Sequence, residues 1–202
     1  FDRISVFINN TKKMDEIAKH IDKLTNGAFL RAINSKEFKE KTIGEILTLS
    51  FPGILKAKHL DIVKWSKLGI IDDARKAGVN LAKKFNNSRL LICLGSQKFS
   101  EDFLKGFLLR QYEFLNYKTN DSKTIGSVTL MLKDPKKFEK PLSEIKAIVD
   151  GVFFTRNLVN EPANILNTVE FSNRLKELSK VGITVEILEE KKLAELGMNA
   201  LL

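Results

Sequence analysis

The sequence predicts an α/β fold: a sheet with helices on both faces, followed by the opening of a second α/β body. Three observations carry this expectation. Strand-like and helix-like segments alternate over the first ~150 residues, the pattern of helices laid on a largely parallel sheet. The stretch SRLLICLG, residues 88–95, is apolar almost without interruption, as a central strand covered on both faces requires. The stretch KDPKKFEKP, residues 133–141, holds two prolines and four lysines and has little to bury, so it reads as the surface exit from the first body.

The elements follow in order. RISVFI (3–8) is β-branched and aromatic with partial alternation, a strand pattern. Met14, Ile17, Ala18, Ile21 and Leu24 share one helical face. EILTLSFPG (45–53) is a second strand stopped by Pro52-Gly53, and KHLDIVKW (58–65) is a third. From Ile71 the positions Ala74, Gly78, Leu81, Ala82 and Phe85 trace a helix face, with Asp72 and Asp73 suiting the positive end of its dipole. After the 88–95 strand, Ser100 is the expected N-cap of a helix whose face holds Phe103, Leu104, Phe107, Leu108 and Leu115. Gly106 in mid-helix implies a close neighbour, because glycine there costs about 0.5–1 kcal/mol relative to alanine. TIGSVTLML (124–132) is a fifth strand. Ser143 is the expected cap of a linking helix through Ile145, Ile148, Val149, Val152 and Phe153. Thr168 begins another helix, GITVEIL (182–188) reads as a strand, and EEKKLAELG (189–197) as a short helix closed by Gly197. The expected bodies are residues 1–134, a linker and connecting helix over 135–160, and a second body opening at 161–202.

Composition narrows the function. Apolar residues make up 43% and charged residues 29%, an ordinary globular balance, and no apolar run approaches the ~20 residues of a membrane-spanning helix. The N-terminus carries Asp2 and Arg3 inside an alternating pattern rather than a secretory signal, and it lacks an initiator methionine, so a processed or trimmed piece is expected. A single cysteine, Cys93, rules out an internal disulfide framework and fits an intracellular setting; its apolar run makes it a packed thiol. The net charge of +9 comes from scattered lysines, Lys12-Lys13, Lys83-Lys84 and Lys136-Lys137 among them, with no block of like charge. That is a solvated lysine surface first, and a non-specific attractor of phosphates second.

No reaction can be assembled from these residues. His20 and His59 lack partners at metal-ligand spacing. LGSQKFSEDF (94–103) has one glycine and no Gly-Lys-Ser/Thr, although a helix start there could hold an anion. No serine sits in a Gly-x-Ser-x-Gly elbow, and the pairs Asp72-Asp73 and Glu189-Glu190 are better explained as helix-start charge than as acid and base. Catalytic, metal-binding and cofactor-binding residues are therefore expected to be none. The densest polar motif is TRNLVNEPANIL, Thr155 to Leu166. Pro162 disfavours a helical Glu161, so the helix should end near Leu158–Glu161. Asn160 and Asn164 can serve the freed backbone groups, and Arg156 can tie the last turn to a neighbouring carbonyl or carboxylate. A joint is the favoured reading, with support of a nearby site or a subunit contact as the alternative.

Three stretches together resemble the leucyl (cytosol) aminopeptidases. LKGFLLRQYEFLNYKT matches that family's pattern at Gly106, Leu109, Tyr112, Phe114, Tyr117 and Lys118, with Lys105 in place of its usual Glu. DDARKAGVNLAKKF resembles its Arg-x-Ala-Gly helix. GVFFTRNLVNEPANILNTVEF, followed by ELGMNALL, resembles its domain junction at Arg156, Leu158, Asn160, Pro162, Ala163 and Asn164, with Thr168-Val169 replacing Thr-Pro. The resemblance spans residues 70–202, with the first 70 more loosely similar.

It implies a macro-domain-like N-terminal α/β/α domain, a linking helix, and the helix–strand–helix that opens a catalytic α/β domain. It also implies a cytoplasmic homo-hexamer that removes N-terminal amino acids from peptides using two divalent metals, manganese or zinc. The family's metal motifs, Val-Gly-Lys-Gly…Phe-Asp-Ser-Gly-Gly and Asn-Thr-Asp-Ala-Glu-Gly-Arg, do not occur in this sequence, so no catalytic or metal residue carries over and the 202 residues are expected to be inactive alone. Two other readings stay open: a DNA-binding or regulatory N-terminal module, and a macro-type domain that binds a nucleotide such as ADP-ribose.

Overall fold

The strand pattern of RISVFI forms β1 (Arg3–Ile8), the middle strand of the sheet. These are the coordinates of a computed structural model, which describes residues 1–9, 14–66, 68–86, 88–117 and 126–201. Lys12-Lys13, Lys118, the 124–125 start of the expected fifth strand and Leu202 lie outside the described residues. After β1 come three helices, α1 (Glu16–Leu24), α2 (Ala28–Asn34) and α3 (Lys36–Glu40), then β2 (Ile46–Ser50) and β3 (His59–Lys64). Helix α4 (Ile71–Lys84) leads to β4 (Arg89–Gly95), and α5 (Ser100–Arg110) leads to β5 (Ser127–Leu132). The sheet order is β2-β3-β1-β4-β5, with only β2 antiparallel to its neighbour.

Alternation along β1 divides the core in two. Ile4, Val6 and Ile8 point to one face, where they meet Ile21, Phe29, Ile33 and Phe38 of α1–α3 together with Leu60 and Ile62 of β3. Phe7 points to the other face and packs with Val63, Trp65, Leu90, Ile92, Phe103 and Phe107. Its ring lies edge-on to Trp65 at 5.2 Å and to Phe103 at 5.1 Å. Each fully buried aromatic or branched side chain contributes roughly 1.5–3 kcal/mol, so both layers are needed to hold the sheet. One ion pair enters this interior. Arg3 donates to both oxygens of Asp61 at 2.8 and 2.7 Å, and Thr48 donates to the same carboxylate at 2.7 Å, so three adjacent strands share one neutralised cluster.

Helices α4 and α5 cross where Gly78 faces Gly106. A Cβ on Gly78 would lie 2.0 Å from the carbonyl oxygen of Phe103, and one on Gly106 would lie 2.2 Å from that of Arg75. The close neighbour expected at Gly106 is thus the backbone of α4. Arg75 also pairs with Asp102 across the crossing at 3.2 Å.

Several local expectations need correction. The capping position of α5 is Phe99, which is left-handed at φ 62°, while Ser100 is the first helical residue and donates to the Gln97 carbonyl at 2.6 Å. The helix ends at Arg110, so Leu115 is off its face and half-exposed. KDPKKFEKP is helical: α6 runs from Pro135 to Asn160 and contains Pro141 and Ser143 in its interior. Pro135 opens it without loss, because the first helical N–H has no intrahelical partner, and Asp134 accepts from the Lys137 amide at 3.4 Å. Phe138, Leu142, Ile145 and Val149 then recur at helical spacing against the core, and that packing overrides the proline and lysine content.

Beyond α6, α7 (Thr168–Lys176) passes into a 3₁₀ turn at Glu177–Val181, and α8 (Glu190–Glu195) ends before a left-handed Gly197. The expected strand at 182–188 forms no ladder, since no described strand lies beside it to exchange hydrogen bonds. The chain divides into two compact units, Phe1–Phe153 and Phe154–Leu202. The sheet and both core layers belong to the first, and among the described residues 154–201 none is buried. Among the described residues no helix is long and apolar enough to cross a membrane.

Candidate functional site

The junction motif is built from the end of one helix and the start of the next. Helix α6 stops at Asn160, whose side-chain amide donates to the Arg156 carbonyl at 2.9 Å. Glu161 still donates its N–H to Asn157, and Pro162 then breaks the ladder. The Pro162 carbonyl accepts from Ile165 and Leu166, both at 2.9 Å, closing a tight turn. Asn167 caps α7 by accepting from the Glu170 amide at 2.9 Å. Into this turn Glu161 tucks a side chain that is only 1% exposed, and the guanidinium that meets it at 3.1 Å belongs to Arg174. Arg174 also holds Glu170 at 2.8 Å. Hydrogen bonds to Glu161 first and Glu170 second raise the Arg174 pKa above its ordinary value, so the cation is permanent. Arg156 itself is exposed. The chemistry on view is that of a pinned turn: paired charges, a proline stop and a cap.

Arg174 is the residue that sequence reasoning did not find. It lies thirteen positions from Glu161, and no periodic pattern links a turn residue to the second turn of the following helix. The available signal was the lone carboxylate between Asn160 and Pro162, which needed a cation from somewhere.

The other motif residues also make contacts that shape the fold. Gly78 and Gly106 form the helix crossing. Leu109 packs on the core, Tyr112 lies edge-on to Phe153 at 5.2 Å, and Phe114 sits 6.0 Å from Tyr117.

The remaining candidates stay apart. Cys93 is buried on β4, and burial, helped by the Asp15 charge, pushes its thiol up to about 12, far from a usable nucleophile. His20 is exposed on α1, and His59 lies on β3 with Nδ1 3.5 Å from the Ser50 hydroxyl. Asp73 accepts from the Ile70 amide at 3.1 Å and so serves the start of α4, while Asp72 pairs with Arg75 at 3.5 Å. Glu189 and Glu190 occupy the start of α8. An open cavity of about 720 Å³ lies at the carboxyl ends of β4 and β5, beside the first turns of α5 and α6. Its charged lining is mixed, with Glu101 and Asp134 beside Lys133 and Lys137, and Asp134 and Lys137 pair at 3.1 Å. Among the described residues no three His, Cys, Asp or Glu side chains gather where they could hold a metal ion.

Comparison with known proteins supplies what the geometry does not. Residues 153–202 match the family profile described as "Cytosol aminopeptidase family, catalytic domain". The probable cytosol aminopeptidase of Cereibacter sphaeroides is 36% identical over 200 residues, covering 99% of this chain and 41% of that protein. That of Phytoplasma mali is 43% identical over 107 residues, covering 50% of this chain and 22% of that protein. Among solved structures, a tomato leucine aminopeptidase variant superposes with a TM-score of 0.73 at 18% identity over 97% of this chain and 43% of its own. The bottromycin maturation enzyme BotP superposes with a TM-score of 0.67 at 16% identity, covering 97% of this chain and 41% of its own. At these identities the two structures speak for the fold alone. The sequence relatives speak for more, because the match runs from the first strand through the junction: the chain belongs to the cytosol aminopeptidase family and spans about two-fifths of the length of relatives such as that of C. sphaeroides.

Proposed function

We propose that these 202 residues are the N-terminal portion of a cytoplasmic leucyl aminopeptidase, which removes N-terminal amino acids from peptides during intracellular protein turnover. The observation that carries the reading is the 36% identity across 99% of the chain to a cytosol aminopeptidase. In this reading the first unit is a macro-like module, the complete enzyme is a homo-hexamer, and its substrates are peptides with a free N-terminus. The enzyme's two divalent ions, manganese or zinc, do not fit here: the described residues offer no cluster of donors, and the family's lysine- and aspartate-bearing metal motifs do not occur in the sequence. The reading therefore assigns catalysis and metal binding to residues outside these 202, and assigns these residues to scaffold and junction. A chimera tests it. Residues 1–202 joined ahead of the catalytic remainder of the C. sphaeroides relative should hydrolyse Leu-p-nitroanilide in manganese or zinc, and a folded but silent chimera would contradict the reading.

The distribution of charge favours a second role. Residues 154–202 hold six Lys and Arg against seven Asp and Glu, so the net positive charge of the chain sits entirely in residues 1–153. A basic N-terminal module can bind DNA through its phosphates, with affinity that falls steeply as salt rises. A gel shift at low ionic strength checks this: a complex dissolved by salt supports the role, and no shift removes it.

A further inference from the structure

The loop that joins β2 to β3 presents apolar side chains that the core does not use. Phe51 is 74% exposed and Ile54 71%, at the end of the sheet where β1 and β4 begin. Phe51 also sits at φ 48°, in the left-handed region that a bulky side chain rarely takes. Its ring is tilted 6.4 Å from that of His59, and it belongs to neither core layer. A strained residue that packs on so little points to a use for its side chain outside the fold. The loop beneath it is firmly seated. The Phe51 amide donates to the Lys58 carbonyl at 2.8 Å, the Ile54 amide donates to the Leu24 carbonyl at 3.2 Å, and Pro52 and Ala57 are buried. A Cβ on Gly53 would lie 3.0 Å from Thr25 Cα, so the loop rests against the turn between α1 and α2. Around the two apolar tips the exposed charge is basic. Lys56 and Lys58 belong to the loop, Lys23 precedes Leu24, and Arg31 Nη1 donates to the Asn26 carbonyl of the same turn at 3.3 Å; all four are exposed. Among the described residues none of the four joins an ion pair. Asp22, the carboxylate in this turn, accepts from the Leu30 amide at 2.8 Å.

We propose that this loop docks the chain on an anionic lipid surface: Phe51 and Ile54 enter the boundary between headgroups and acyl chains, while Lys23, Arg31, Lys56 and Lys58 meet the headgroups. The contact is independent of the aminopeptidase reading. Charge complementarity selects the occupant. Stable anchoring at a membrane takes two signals, an apolar insertion and a basic patch, and the loop with its neighbouring turn carries both. Each lysine or arginine held close to an anionic leaflet strengthens binding about fivefold. An acidic protein partner is disfavoured, because protein interfaces are depleted of lysine and enriched in arginine, and three of these four cations are lysines. The left-handed backbone at Phe51, pinned by Pro52 and Gly53, holds the ring outside the fold before any contact is made, so docking needs no rearrangement of the loop.

Sedimentation of the full 202-residue chain with lipid vesicles tests this. Vesicles of phosphatidylcholine holding about one-third phosphatidylserine should carry the chain down, and vesicles of phosphatidylcholine alone should not. Phe51→Gly should lower the partition about tenfold or more, because the phenyl ring is lost. The same variant should keep an equal or higher thermal midpoint, since glycine takes φ 48° freely. Lys56→Glu combined with Lys58→Glu should also lower the partition about tenfold or more. Phe51→Trp should show blue-shifted emission when the anionic vesicles are added, against the constant signal of the buried Trp65. Partition that survives Phe51→Gly combined with Ile54→Ser would overturn the proposal, since lysines elsewhere on the chain would then account for it. So would a Phe51→Trp emission that ignores the vesicles. Polyglutamate in place of vesicles checks the other occupant: capture that Phe51→Gly abolishes, with no partition onto vesicles, would make the partner an acidic polypeptide and contradict the lipid contact.

Discussion

At Gly78 and Gly106 the backbones of α4 and α5 touch, and an alanine methyl at either would press on a carbonyl rather than on a movable side chain. Gly78→Ala and Gly106→Ala should each destabilise the first unit by about 1–3 kcal/mol or more, read as a lower urea midpoint. Cys93 should resist iodoacetamide in the native chain at pH 8 and react only on unfolding, since burial holds its thiol up to about 12. Asp2 titrates in the opposite sense. Its hydrogen bonds from Arg89 hold the carboxyl at about 2, below its ordinary 3.8. A folded-state value below the unfolded one means that the pair stabilises fully above about pH 5 and is lost as pH falls toward the folded value. The difference in thermal midpoint between wild type and Asp2→Asn should therefore shrink from pH 5 to pH 2, and a constant difference would contradict the assignment. Arg174 bridges Glu161 and Glu170, contacts thirteen and four positions apart, and only the second has a helical spacing that a sequence can show.

Among the elements, α6 separates local preference from tertiary packing most clearly. Pro141 removes an interior hydrogen bond and costs roughly 3 kcal/mol relative to alanine, partly offset by about 0.4–1 kcal/mol from the stiffer unfolded chain. Pro141→Ala should accordingly stabilise the helix by about 2–2.6 kcal/mol in a urea melt, with no change in fold. The same element shows why part of the architecture was legible and part was not. β1, β3, β4 and α4 announce themselves through alternation or helical spacing that the core then uses. Residues 133–141 gave the opposite signal, because prolines and lysines describe the chain's own preferences and not the apolar face that Phe138 and Leu142 complete. Residues 184–188 carry a sound strand pattern that lacks its partner. The short helices α2 and α3 escaped notice because Phe29, Ile33 and Phe38 cross element boundaries and build no single long periodic face.

For the whole molecule, the two units should behave differently. The single tryptophan, Trp65, lies in the core of the first unit, so its fluorescence reports that unit alone. Limited proteolysis should cut within 161–201 while Trp65 fluorescence remains native, since a segment without buried residues opens at low free energy. Membership in the family was legible from motif residues, several of which have a definite place in the fold: the crossing glycines, the Tyr112 contact with Phe153, and the proline stop at the junction. The reacting groups were not legible, because no motif in the sequence pointed to one, and among the described residues no three His, Cys, Asp or Glu side chains gather where they could hold a metal ion. The central claim is that these 202 residues are scaffold and entrance to an aminopeptidase. Its most direct test is the rate of Leu-p-nitroanilide hydrolysis by the purified chain alone in excess manganese or zinc. The account predicts a rate indistinguishable from metal in buffer; metal-dependent turnover that scales with chain concentration would contradict it.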